Sequence, residues 1–240
     1  MPQIICRDLV LGYDKKIVSR NISFEVNRGD YLCIVGDNGS GKSTLMKALL
    51  GLLPTMGGSI ELSDGLSQSD IGYLPQQTEH QRDFPASVEE VVLSGCIGHK
   101  GFLPIYRMSD KIRAHKNLRK LSIDGLQKRP YSELSGGQQQ RVLLARALCA
   151  ADRMILMDEP VSGLDPAATL EMYRITESLN RDDGMTVIMI SHDIDAAVRY
   201  ATHILHLAHE PLFFGTKEDY IKSGAYRGAG EGGINDETDA

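Results

Sequence analysis

The first hydrophobic runs, Ile4–Val10 and Ile17–Val26, are rich in strand-forming residues, and Gly12-Tyr13-Asp14-Lys15-Lys16 between them reads as a hairpin turn. Tyr31–Val35 is a short apolar strand that gives way to the helix-forming stretch Lys42–Leu50, which Gly51 through Gly58 stops. Ser59–Leu62 and Ile71–Leu74 read as short strands, the second broken by Pro75. Between Ser87 and Leu134 the pattern turns helical, with Val88–Leu93 and Ser109–Leu121 as the helices. The second carries Ile112, Leu118 and Leu121 on one face and Lys111, Arg113, Lys116, Arg119 and Lys120 elsewhere, which reads as a solvated basic face, with contact to anionic headgroups or RNA as the other reading. A long helical run then reaches Ala151, followed by an apolar strand over Arg153–Met157, a helix from Pro166 to about Arg181 and a buried strand over Thr186–Ile190.

Strands alternating with helices make this an α/β chain, and 240 residues suffice for a substantial core. A net charge of −6 provides no general basic field, so nucleic acid is not an expected partner. Cys6, Cys33, Cys96 and Cys149 are scattered without metal-ligand spacing and read as reduced core residues of a cytosolic protein. No apolar run approaches the ~20 residues that span a bilayer, so membrane association is expected to come through a partner.

The candidate chemistry begins at Gly36-Asp37-Asn38-Gly39-Ser40-Gly41-Lys42-Ser43, followed by Thr44, between a strand and a helix. Three glycines let the backbone bend so that successive N–H groups point at phosphate, while Lys42 reaches the β- and γ-phosphates and the Ser43 hydroxyl ligates Mg²⁺. Tyr13 is placed to stack on an adenine face, with a plain strand-end tyrosine as the other reading. Gln76, at a strand tip, can ligate Mg²⁺ or hold an attacking water. Ser135, Gly136, Gly137 and Gln138 open a helix and form a second anion-binding nest. Asp158 and Glu159 close an apolar strand whose pleat sends neighbours to opposite sides, leaving Asp158 for Mg²⁺ and Glu159 to polarise water. Asp165 caps a helix beginning at Pro166, and His192 sits at a third strand tip, within reach of the γ-phosphate. His203, His206 and His209 recur at intervals of three, but in a strand residues three apart face opposite sides, which argues against a shared metal.

The order of these motifs, with Leu134-Ser135-Gly136-Gly137-Gln138 as the most specific, resembles the nucleotide-binding subunit of ATP-binding cassette (ABC) transporters over about residues 3–222. The resemblance implies a P-loop NTPase core with an antiparallel β subdomain on its N-terminal side and an inserted helical subdomain over about 87–150. Residues 1–222 would form one ATPase domain, and 223–240 a flexible acidic, glycine-rich tail. It also explains the second phosphate site. Two copies would form a head-to-tail homodimer, each ATP and its Mg²⁺ lying between the Gly36–Ser43 loop of one copy and Ser135–Gln138 of the other. Gln76, Asp158, Glu159, Asp165 and His192 would complete the site, with Tyr13 on the adenine.

Ile71–Gln76 and Asp83–Val92 look like the corresponding segments of zinc and manganese importers, in the part that receives the permease's coupling helix. The implied protein is a peripheral ATPase on the cytoplasmic face of the cell membrane, docked on a separate integral permease and served indirectly by an extracytoplasmic binding protein. An importer of iron complexes, or a non-transport ABC ATPase of iron–sulfur cluster assembly, would share the same ATP chemistry.

Overall fold

The computed structural model describes residues 1–14, 16–77, 85–99, 106–151 and 153–225. In chain order, β1 (Pro2–Tyr13) and β2 (Lys16–Asn27) form a hairpin, and β3 (Tyr31–Val35) leads into α1 (Lys42–Leu49). β4 (Gly57–Leu62) and β5 (Ile71–Leu74) precede three helices, α2 (Val88–Ser94), α3 (Met108–Lys120) and α4 (Gly136–Ala150). The remainder is β6 (Met154–Asp158), α5 (Pro166–Arg181), β7 (Thr186–Ile190), α6 (Ile194–Tyr200), β8 (His203–Leu207), β9 (Pro211–Thr216) and α7 (Lys217–Ser223).

The strands form two sheets. The smaller is antiparallel in the order β2-β1-β4. Along β1 the buried apolar side chains are Ile4, Cys6, Leu9 and Leu11, a change of parity that an unbroken strand cannot produce. The register slips between Cys6 and Leu9. There Asp8 takes φ +47°, and its N–H donates to Ser23 Oγ at 2.8 Å. This bulge puts both halves of the apolar set on the same face. The expected five-residue turn is also shorter, because pairing continues from Gly12 through Tyr13 and resumes at Lys16.

The larger sheet runs β5-β6-β7-β3-β8-β9, parallel from β5 through β8, with β9 antiparallel at the edge. Every residue of β3, β6 and β7 is buried, which is why these strands read as continuous apolar runs rather than alternating ones. Parallel pairing brings the carboxyl ends of β5, β6, β7 and β3 to one edge, so the segments after Leu74, Asp158, Ile190 and Val35 converge there. α6, β9 and α7 carried no distinct signal in the hydrophobic pattern.

α2, α3 and α4 share a core with the larger sheet, in which Val88, Val91, Leu118, Leu121 and Leu144 meet Val35, Leu74 and Met157. Ile112 is not part of it: it is 63% exposed, whereas Ala114, Asn117 and Leu118 face inward. Ile112 and Leu118 are six helical steps apart, which rotates Ile112 about 120° away from the buried face. All four cysteines are free and buried, and burial pushes the Cys6 and Cys149 thiols up to about 12, so they pack as inert apolar groups. His203, His206 and His209 do not converge, and among the described residues no group of three or more His, Cys, Asp or Glu is placed to hold a metal ion. No described helix is long and apolar enough to cross a membrane. The expected flexible tail lies outside the described residues from 226 onward, and Ser223 belongs to α7.

The junction of β5 with α4 admits no side chain at Gly72, where a Cβ would lie 2.4 Å from Ala147 O and 2.7 Å from Ala151 Cβ. Gly72→Ala should therefore lower the unfolding free energy by about 2 kcal/mol. Gly125→Ala, where a Cβ meets nothing within 4 Å, should leave the urea midpoint nearly unchanged. Equal midpoints for the two variants would contradict this packing.

Candidate functional site

Between β3 and α1 the chain turns through Gly36, Gly39 and Gly41 at φ +141°, +80° and +100°, in or near the left-handed region that only glycine enters freely. A Cβ on Gly36 would lie 1.9 Å from Leu207 O, so β8 presses directly on the loop. Lys42 lies inside this loop, 5% exposed, and donates to the carbonyl oxygens of Gly36 at 2.7 Å and Asp37 at 2.8 Å. Burial pushes its ammonium below the usual lysine range, while Glu159, Asp37 and Asp158 pull it back. Ser40 Oγ is buried with no hydrogen-bond partner among the described residues. An orphaned hydroxyl beside the N–H groups of a helix start suits an anion. Ser43 and Thr44 occupy the first turn of α1, and Asn38 lines a hollow of about 210 Å³ with Gly36, Asp37, His192 and His206.

Asp158 and Glu159 meet this loop from β6. Asp158 is 6% exposed and accepts from Ser43 Oγ at 3.5 Å. Burial and then the neighbouring Glu159 push its carboxyl above the usual range, against the opposing pull of Ser43, Lys47 and Lys42. The strand ends at Asp158, and Glu159 has φ +49° immediately before Pro160. The two carboxylates thus part company through a strained turn rather than through the strand pleat alone. One oxygen of Glu159 accepts from Gln76 Nε2 at 2.9 Å, and the other is in short contact with His192 Nε2. Gln76 follows β5 and His192 follows β7, so three adjacent strand ends hold one carboxylate.

The other expected site residues lie apart from this cluster. Ser135 caps α4 in a reciprocal pair, its N–H donating to Gln138 Oε1 at 3.1 Å and its Oγ accepting from Gln138 N–H at 3.4 Å. Gly136 and Gly137 start the helix, and a Cβ on Gly137 would come 2.9 Å from Ala168 of α5. Among the described residues no hydrogen bond or ion pair joins Ser135–Gln138 to Gly36–Ser43. Asp165 caps α5 through Oδ1, which accepts from the N–H groups of Ala167 at 3.0 Å and Ala168 at 2.9 Å. Tyr13 is 43% exposed, with Lys47 Nζ 5.8 Å from its ring centre.

Gln77 is the residue that motif reasoning passed over. Its amide donates to Tyr131 Oη at 3.0 Å and Gln139 Oε1 at 3.2 Å, and Gln139 donates in turn to Tyr131 O at 3.1 Å. Adjacent glutamines therefore point their hydrogen bonds two ways, Gln76 to Glu159 and Gln77 to the segment that leads into Ser135. The only signal was a second amide at the strand tip, since both partners lie more than fifty residues away in sequence. His206, one of the three regularly spaced histidines, reaches the loop from β8, with Nδ1 3.0 Å from Tyr220 Oη.

Comparison with known proteins gives one consistent result. The family model described as ABC transporter matches residues 19–162. The manganese transport system ATP-binding protein MntB of Bacillus subtilis is 39% identical over 216 residues, covering 88% of this chain and 86% of its own length. The zinc uptake system ATP-binding protein ZurA of Listeria innocua is 36% identical over 215 residues, covering 87% and 83%. Among solved structures, a metal-chelate type ABC transporter in an inward-facing conformation superposes with a TM-score of 0.82 at 30% identity, over 91% of this chain and 85% of that one.

The placement of His206 carries a pH dependence. Burial, with a lesser contribution from Lys42, pushes its pKa below the usual imidazole value, and Asp37 opposes them. The unfolded chain then takes up a proton that the folded protein resists, so the stability held above the usual value is lost as pH falls through it. Between about pH 7 and about pH 5, the wild type should lose more stability than His206→Gln in urea unfolding. Parallel curves for the two proteins would contradict a neutral buried His206.

Proposed function

We infer that this chain powers the uptake of a divalent metal ion, zinc or manganese, starting from the fact that it belongs to the ABC transporter family. Its members' ATP-binding subunits bind and hydrolyse ATP, act as dimers and pair with a membrane permease, so the chain is an ATPase. The Gly36–Ser43 loop carries the reading for ATP: left-handed glycines, an orphaned Ser40 hydroxyl and a buried Lys42 form a cradle for phosphate oxygens. On binding ATP, Lys42 exchanges its two carbonyl partners for phosphate, and Tyr13 offers its half-exposed ring to the base. Residues 1–222 act as one such ATPase domain, with 87–150 as its helical part.

The oxygens of Ser43 and Asp158, with the Gln76 carbonyl, form a hard donor set that fits Mg²⁺. When bound, the ion neutralises charge on the β- and γ-phosphates. Glu159 accepts the proton of the attacking water, and Gln76 and His192 fix its two oxygens so that it meets the γ-phosphate in one orientation. Ser135–Gln138 bond to themselves within one copy and offer their helix start to the nucleotide of a second, head to tail. Asp165, already spent on its own cap, holds the adjoining turn and contributes at the dimer seam.

Pro75, Glu90, Val91, Tyr131, Leu143 and Arg146 line a hollow of about 490 Å³ that suits a permease segment. Pro75 precedes Gln76, and Tyr131 accepts from Gln77, so a segment seated there bears on both halves of the site. The protein is then peripheral on the cytoplasmic face of the membrane, with an extracytoplasmic binding protein delivering the ion to the permease. The named systems of the relatives, zinc uptake and manganese transport, support that class of cargo.

Glu159→Gln should keep ATP binding and ATP-dependent dimerisation while turnover falls about 100-fold or more, because shape is kept and the proton acceptor is lost. Near-normal turnover would remove Glu159 from the role. Tagged Glu159→Gln protein, isolated with ATP from membranes, should bring down a many-helix permease, and loss of the chain should reduce cellular zinc or manganese uptake. Recovery of soluble assembly proteins alone would overturn the transport reading.

A further inference from the structure

From Arg107 to Arg129 the sequence places eight Lys or Arg against two Asp, in a chain whose net charge is −6. Most of this surplus is on α3, which turns only Ala114, Asn117 and Leu118 inward. Part of it is used internally, since Arg113 donates to Cys149 O at 2.9 Å and Lys120 pairs with Asp183 at 2.5 Å. Lys111 and Lys116 are exposed and make no hydrogen bond or ion pair among the described residues, and the exposed Arg119 meets only His115, at 3.2 Å. These side chains line a hollow of about 750 Å³ between α3 and Glu89 of α2. Beside them stand Met108, 72% exposed, and Ile112, 63% exposed, one helical turn apart.

Unpaired cations around exposed large apolar side chains form the pattern of a surface that rests on a bilayer, the cations at anionic headgroups and the apolar groups just beneath them. A nucleic-acid surface would use the same cations, but it would gain little from Met108 and Ile112 and would use stacking aromatics instead. Position agrees. Glu89 borders this hollow and the adjacent Glu90 borders the cleft assigned to the permease, so the two lie on neighbouring sides of α2. We propose that the α3 face, through Lys111, Lys116, Arg119, Met108 and Ile112, docks on anionic phospholipid beside the permease. This rests on the permease-bound reading given above. The contact would hold the subunit at the membrane surface while its nucleotide site opens and closes.

The test is flotation of the purified full chain with vesicles of mixed phosphatidylglycerol and phosphatidylcholine, compared with phosphatidylcholine alone. Binding should require the anionic lipid and should be released on raising salt from about 0.1 M to about 0.5 M. The triple variant Lys111→Glu, Lys116→Glu, Arg119→Glu should lower binding at least about tenfold. Met108→Ser with Ile112→Ser should weaken it while leaving the charge intact, and basal ATPase should be unchanged in both. No binding, equal binding to neutral vesicles, unaltered binding by the charge-reversed variant, or preferential capture by a short DNA duplex would each overturn the proposal. Co-isolation separates the two readings. A permease recovered with a chain that ignores vesicles would sink only the lipid contact, whereas vesicle binding with no permease would sink only the transport reading.

Discussion

Three charged groups are taken out of water together at the carboxyl edge of the larger sheet, and the site depends on their mutual balance. Lys42 and Asp158 are almost fully buried, and the side chain of Glu159, next to Asp158, is 16% exposed. Burial alone drives Lys42 and Asp158 toward their neutral forms, and each is opposed by the charge of the other. An isolated buried charge would cost several kcal/mol. Held as a set, with the glycine loop around Lys42 and Ser43 against Asp158, they form a preorganised pocket of mixed sign that suits a polyphosphate and its cation.

The parallel register makes that set possible. β3, β5, β6 and β7 end at one level, so a lysine, a glutamine, a carboxylate pair and a histidine from distant parts of the sequence converge without any long loop. The same alignment leaves Gln77 pointing away from the site, toward Tyr131 and Gln139. Events at the helical region and events at Glu159 are thereby separated by one peptide bond. Among the described residues Ser135–Gln138 has no partner at the phosphate loop of its own chain, which is the arrangement that the proposed head-to-tail pairing requires.

The parts legible in sequence were those whose chemistry is local. Gly36–Ser43, Ser135–Gln138 and Asp158-Glu159 are contiguous, and their placement at helix starts and a strand end follows from spacing and from flanking strands or helices. The apolar runs of β3, β6 and β7 showed buried strands because both faces are covered. What escaped depends on tertiary placement. The Asp8 bulge shifts register through Ser23, fifteen residues away, Gln77 finds its partners across the fold, and the exposure of Ile112 is settled by which side of α3 meets α4. α6 and α7 are short and mixed in polarity, so no period marks them, and the apolar run of β9 is only three residues long between Pro211 and Gly215.

Mixing two inactive variants tests most directly whether the nucleotide site is shared between copies. Lys42→Ala disables the phosphate loop and Ser135→Arg disables the facing helix start, so each variant alone should hydrolyse ATP at background rate. If each site draws its loop from one copy and its helix start from the other, a mixed dimer holds one intact site, and combining the two proteins should restore activity well above the sum of the parts. Activity that never exceeds that sum, in a mixture shown to contain mixed dimers, would contradict the head-to-tail account.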